Sequence, residues 1–199
     1  MFIDSHLTMS THIKNVCQTA LISLRSIARL RKYLDRPTTE RLVHAFISSR
    51  LDSCNSLLYG LPDSDIVKLQ HVQNSAARLV VGARRRDHIT PILHDLHWLP
   101  VRKRILFKIL LMVYKSLSDL APAYITELIT PYNPSRDLRS GSKRLLQILR
   151  AARSAKACYG MRAFSIVAPK EWNRLPDSVR CADSVHCFKK ALKTYLFNL

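Results

Sequence analysis

Acidic residues are scarce in this chain. Its 199 residues hold 14 Asp and Glu against 32 Lys and Arg, a formal charge of +18. That deficit points to an anionic partner, because neutralised phosphates release counterions and drive sequence-independent binding. Nucleic acid fits first, with a membrane surface or an acidic protein behind it. Glycine is also scarce, at four residues, and no Gly-x-Ser-x-Gly elbow or glycine-rich phosphate loop can be assembled. The five cysteines are odd in number and irregularly spaced, which argues against a disulfide framework and for a reducing compartment. Long apolar runs are missing too. The most apolar stretch, Ile105 to Tyr114, is interrupted by Lys108 and falls short of the ~20 residues needed to span a bilayer, so it reads as a buried helix and no membrane partner is expected. Met1 to Asp4 carry no charged leader, and no secretory signal is expected.

What is present is apolar periodicity. The hydrophobic share of 47% is enough for a real core in one or two small domains and excludes disorder throughout. Ile13, Val16, Cys17, Ala20, Leu21, Leu24, Ile27 and Ala28 follow the spacing of one helical stripe. Asp35-Arg36-Pro37 ends that helix, and Thr38 or Thr39 is expected to cap a second one that buries Leu42, Val43, Phe46, Ile47 and Leu51. Cys54 falls in an apolar helical context. A third helix starts at Asp63 or Ser64, buries Ile66, Leu69, Val72, Ala76, Leu79 and Val80, and stops at Gly82. Thr90 and Pro91 begin a short helix, Pro100 a longer one to about Leu117, and Ala121 to Ile129 is short and helical. Residues 131–143 are rich in Pro, Ser and Asn and read as a linker. Beyond them Leu145 to Leu149 fits a short strand or a helix turn, while Gly160 to Trp172 and Ser184 to Phe197 look helical, with a break demanded at Pro169.

Few constellations carry chemistry. His88, His94 and His97 fall within ten residues, yet structural zinc wants four ligands and no cysteine is near in sequence. Cys181, His186 and Cys187 lack knuckle spacing, so no metal or cofactor is expected. His97 and Trp98 are read as packing residues, the indole filling a groove between helices. The basic clusters carry the functional weight: Lys14, Arg25, Arg29, Arg31 and Lys32; then Arg84, Arg85 and Arg86; then Arg102, Lys103 and Arg104; and finally Lys143-Arg144 through Arg150, Arg153 and Lys156. Trp98, Tyr114 and Tyr132 are candidate rings for base stacking beside them.

Several motifs then occur in order. They are Arg50-Leu51-Asp52-Ser53-Cys54-Asn55-Ser56-Leu57-Leu58-Tyr59-Gly60-Leu61-Pro62, Gln73-Asn74 with Ala76-Ala77-Arg78-Leu79-Val80, and the run from Asp87 to Arg104 that holds His97-Trp98-Leu99-Pro100. Leu120-Ala121-Pro122-Ala123-Tyr124, Gly160-Met161-Arg162-Ala163-Phe164, Ala168-Pro169 and Trp172-Asn173-Arg174-Leu175-Pro176 complete the series. In order and spacing they resemble the C-terminal portion of the reverse transcriptase of LINE-type (non-LTR) retrotransposons, over almost the full length. Phe2 to Thr8 with His12-Ile13 looks like the passage from polymerase palm to thumb. The resemblance implies that everything catalytic lies upstream of Met1. The chain itself has no Asp-Asp dipeptide to hold the two magnesium ions of such a polymerase. Asp4 and Asp52 read as cap or turn residues.

The expectation is therefore a mainly α protein. A thumb-like helical hairpin over residues 1–62 precedes a helical region over 63–130, the linker over 131–143 and a mostly helical region over 144–199, with a short strand pair as an option. No catalytic residue is expected in the chain. The resemblance implies sequence-independent gripping of RNA or an RNA–DNA hybrid, with the missing palm as natural partner and the nucleus as location. Structural roles fall to His97, Trp98, Pro100 and Trp172. A basic helical protein-interaction module, or a non-functional retroelement remnant, stands as the alternative.

Overall fold

In the computed structural model, residues 8–133, 144–149 and 160–199 are described. They are mainly α-helical, and strand pairing among them is a single antiparallel bridge between Pro131 and Leu146. Two compact units divide at Ile105 and Leu106.

The first unit begins with α1 (Ser10–Leu30), followed by a 3-10 turn, Arg31–Tyr33. Its apolar stripe buries Ile13, Ala20 and Ile27, but Leu21 and Ala28 stay exposed because the buried arc is narrower than the apolar one. His12 is buried beside that stripe, and its Nδ1 has no hydrogen-bond partner among the described residues. Next comes α2 (Arg36–Val43), a π turn over His44–Ser48, and α3 (Ser49–Asp52). Asp35, rather than Thr38 or Thr39, caps α2, its carboxylate accepting the Thr38 N–H at 3.0 Å. Pro37 lies in the first turn, where its missing N–H costs nothing. Thr39 is instead buried, its hydroxyl donating to the Asp35 carbonyl at 2.7 Å. The wider π turn places residue i+4, not i+3, over residue i. Val43, Ile47 and Leu51 are buried accordingly, and Phe46, expected in the core, is 48% exposed. Cys54 is also exposed, in a left-handed conformation that ends the helical run.

Helix α4 (Asp63–Val81) packs along α1 and ends at Gly82, whose φ of 72° suits glycine. Pro62 takes the cap position, so neither Asp63 nor Ser64 serves as the cap. Asp63 and Asp65 sit in the first turn, facing the positive end of the helix dipole. Its buried face also holds a polar residue, Gln73. Gln73 Nε2 donates to the Leu99 carbonyl at 2.8 Å, and its Oε1 accepts from Gln70 Nε2 at 3.0 Å. Gln70 Oε1 in turn accepts the Val101 N–H at 2.8 Å. The two glutamines thus satisfy the backbone on either side of Pro100, where α6 (Val101–Leu117) begins.

Between α4 and α6 lies α5 (Ile89–Asp95). It ends in a left-handed C-cap: His97 donates its N–H to His94 O at 3.0 Å and Trp98 to Leu93 O at 2.8 Å. His97 has φ 54° and is exposed, which corrects its reading as a packing residue; the left-handed cap turns it to solvent. Trp98 is buried as expected, with its ring 5.2 Å from that of His44.

The second unit takes the rest of α6, α7 (Ala123–Thr126), a 3-10 turn at Gly160–Arg162, α8 (Phe164–Asn173), α9 (Asp177–Arg180) and α10 (Val185–Phe197). Its core stacks Tyr114 on Phe188 at 4.2 Å, with Trp172 tilted against Phe188 at 5.8 Å. Trp172 and Asn173 also tie in the segment that starts at Arg144. The indole donates to Arg144 O at 2.7 Å, and the Asn173 amide pairs with both backbone groups of Leu146 at 2.9 and 2.8 Å. Leu145 to Leu149 is therefore an extended segment held by that amide and by the backbone of Thr130 to Tyr132, with Tyr132 N donating to Leu145 O at 2.9 Å and Gln147 N to Thr130 O at 2.8 Å. Pro169 does not break α8: its ring is buried, and that packing offsets the ~3 kcal/mol a helix-interior proline costs. The expected linker is described only at Pro131, Tyr132 and Asn133; residues 134–143 lie outside the described residues.

Two measurements check these assignments. Gln73→Leu should lower stability by ~1–3 kcal/mol, since it strands the Leu99 carbonyl in the interior. Urea unfolding followed by circular dichroism reads this, and a midpoint equal to the parent's would refute the role given to Gln73. Burial pushes the His12 pKa below 6.5, so its neutral form is favoured in the folded state. The unfolded chain then binds the extra proton first, and stability present above pH 6.5 is lost as pH falls through the folded pKa. His12→Gln should flatten the fall in urea midpoint between pH 7 and pH 5; an unchanged slope would assign that fall to other groups.

Candidate nucleic-acid interface

Basic residues far apart in sequence meet at one end of the first unit. Helices α1 and α4 run side by side in the same direction, with Cys17 near Lys68 towards their starts. At the other end Arg31 donates from Nε to Leu79 O at 3.1 Å and from its terminal nitrogens to Val80 O at 3.3 Å and Leu34 O at 2.8 Å. Arg31 therefore caps the last carbonyls of α4 and closes its own 3-10 turn. It was a candidate for phosphate contact; its guanidinium is largely taken up by these carbonyls.

That cap joins two groups of exposed cations. Arg25, Arg29 and Lys32 come from α1 and its 3-10 turn, and Arg84, Arg85 and Arg86 follow immediately after α4. The second trio is held in a turn: Asp87 N donates to Arg84 O at 3.2 Å, Asp87 Oδ2 accepts the Arg84 N–H at 2.7 Å, and Arg78 reaches Asp87 O at 3.1 Å. Tyr33 is exposed beside them, with Lys32 Nζ 4.7 Å from its ring centroid.

The bland account is that these charges offset two parallel helix C-termini, which together carry about −1. Arg31 alone meets that need. Asp35 and Asp87 offset two more of the remaining six, leaving a surplus of about four positive charges by this rough balance.

Other candidates lie elsewhere. Lys14 is exposed but sits on α1 about 25 Å from Arg31 at 1.5 Å per residue. Arg102 is paired with Asp63, at the opposite end of α4 from Arg84. Arg104 is paired with both carboxylate oxygens of Asp52, at 2.8 Å for one of them, and is only partly exposed. Asp52 thus serves as an ion-pair partner that also accepts from Asn55 at 3.3 Å. Lys103 is half-buried. Lys143, Arg150, Arg153 and Lys156, together with Asp4, lie outside the described residues. Two of the proposed stacking rings are also accounted for: Trp98 and Tyr114 are buried, Tyr114 donating to Ala182 O at 2.7 Å. Tyr132 is exposed, in the second unit, and Tyr33 is the ring beside the cationic cluster that the sequence pattern passed over.

The described residues hold no group of three or more His, Cys, Asp or Glu placed to bind a metal ion, and no helix among them is long and apolar enough to cross a membrane. Gln70, Gln73 and Asn173 carry structural hydrogen bonds that periodicity overlooked. Their signal was present in the Gln73-Asn74 and Trp172-Asn173 pairs, polar residues set amid apolar helical faces. No family model, curated protein or solved structure matches the chain.

The capping role of Arg31 separates it from its neighbours. Arg31→Ala should destabilise the fold by ~1–3 kcal/mol, the range for charged hydrogen bonds to carbonyls, whereas Arg29→Ala should stay within ~0.5 kcal/mol of the parent. Thermal and urea unfolding of the two variants side by side would expose an error if both behaved alike.

Proposed function

We propose that this chain is the C-terminal portion of a LINE-type reverse transcriptase without its palm, and that it grips RNA or an RNA–DNA hybrid by the phosphate backbone. The ordered motifs support the origin. The observation that carries the binding role is the surplus of exposed cations that Arg31 gathers at one end of the first unit. Arginines in a turn and on a helix end meet phosphates without reading bases, so the binding is sequence-independent. Tyr33 adds a flat face on which an unpaired base can stack, which any base can do. No polymerase chemistry is assigned to the chain, since the paired carboxylates such a reaction requires would have to come from the missing palm. A thumb that holds template and primer near that palm is the role this reading gives it, in the nucleus where such elements integrate.

Salt dependence tests the reading. If Arg25, Arg29, Lys32, Arg84, Arg85 and Arg86 each neutralise a phosphate, log affinity for a single-stranded RNA should fall with log salt at a slope of about −4. Replacing Arg84, Arg85 and Arg86 together by Ala should bring the slope to about −2, and Tyr33→Ala should weaken the single strand more than the hybrid duplex. Fluorescence anisotropy at 50 to 200 mM salt measures all three. No binding at the lowest salt, or a slope untouched by the triple change, would leave the proposal without support.

A further inference from the structure

Away from the cationic end, α1 and α4 leave a groove of about 630 Å³ between them. Cys17 and Leu21 of α1 and Val72 of α4 supply its apolar surface, and Lys14, Lys68 and His71 stand along it. Leu21 is 37% exposed, while Ile22, which does not line the groove, is 62% exposed. Large apolar side chains left open along a groove mark an interaction site more often than chance exposure does. A phosphate backbone has no use for an apolar floor. A helix with one apolar face does, since it can lay that face into a groove at one anchor per turn.

The length of the groove sets the length of its occupant. Its α1 wall runs from Ser10 to Leu21, about 16 Å at 1.5 Å per residue, which is three helical turns. Charge sets the sign. Helix α1 contains no Asp or Glu, and the only two acidic residues of α4 are already paired, Asp63 with Arg102 and Asp65 with Lys68 at 2.7 Å. Lys14 therefore faces the groove without a carboxylate on either helix left to answer it.

We propose that the groove between α1 and α4 receives an acidic amphipathic helix of about three turns from a protein partner. The inference is independent of the nucleic-acid reading, because it uses a different part of the surface and only Lys14 among the cations named there. Leucines of the incoming helix fill the space over Cys17, Leu21 and Val72, and its glutamates meet Lys14 and the rim of α4.

The full chain can be tested with synthetic peptides of about 14 residues, long enough to hold three turns. One carries leucines at i, i+3, i+4 and i+7 with glutamates between them; a second replaces the glutamates by lysines; a third keeps the acidic composition with the leucines scrambled. Fluorescence anisotropy should show the first binding at least ten-fold tighter than either control. Leu21→Asp, at an already exposed position, should lose at least ten-fold with helicity unchanged by circular dichroism, and Lys14→Glu should weaken the acidic peptide while strengthening the lysine one. The first peptide should slow alkylation of Cys17 while exposed Cys54, Cys181 and Cys187 react as before. Equal binding of the scrambled acidic peptide would reduce the effect to net charge and overturn the proposal. So would protection of Cys17 by a single-stranded RNA but not by the peptide, or a dimer in sedimentation equilibrium that Leu21→Asp dissolves, which would hand the groove to nucleic acid or to a second copy.

Discussion

The amide of Gln73 sits where a hydrophobic side chain would be expected, on the buried face of α4, and the first unit is organised around it. It donates to the carbonyl of Leu99 while Gln70, held against it, accepts the N–H of Val101. Pro100 lies between these two groups and offers no N–H of its own. A proline-containing junction buried against a helix would otherwise leave a carbonyl and an amide without partners, at a cost of ~1–3 kcal/mol each. With both satisfied, the left-handed turn through His97 can end α5, Trp98 can enter the core, and α6 can start directly after Pro100.

From that junction follows the division of labour among the cations. Because α6 starts against the beginning of α4, Arg102 and Arg104 come within reach of Asp63 and Asp52 and are spent on ion pairs. Because α1 runs alongside α4, Arg31 arrives at the carbonyls of Leu79 and Val80 and is spent on a cap. Arg25, Arg29 and Lys32 on one side of that cap in the chain, and Arg84, Arg85 and Arg86 on the other, stay exposed. A strongly basic chain thus sorts its charges into structural ones and solvent-facing ones by where the helices begin and end. The second unit uses the same device with a neutral residue: Asn173 pairs with both backbone groups of Leu146, as a neighbouring strand would.

Most helices were legible from periodicity, and most disagreements have a local cause. The π turn over His44–Ser48 shifted the buried face of α2 and α3 and left Phe46 outside; a pattern read at 3.6 residues per turn has no means of anticipating it. The cap of α2 moved to Asp35 because Pro37 prefers the first turn of a helix to the position before it. Pro169 stayed inside α8 because burial outweighed its local penalty. His97 and Trp98 are adjacent, yet one is exposed and the other buried, since a left-handed cap turns consecutive side chains to opposite sides. The basic clusters were legible as clusters. Which of their members already had partners was not, because Asp52 and Asp63 lie 52 and 39 residues from the arginines they hold.

By itself the sequence determined that the chain is helical and strongly cationic, with helices ending near its prolines and glycines, because backbone sterics and apolar spacing act over a few residues. Tertiary structure alone decided which charges face solvent, which arginine became a cap, and where a groove stayed open between α1 and α4. Those outcomes depend on which helix ends meet, and a helix end about 28 Å from its start, as in a 19-residue helix like α4, brings together groups that no local pattern relates.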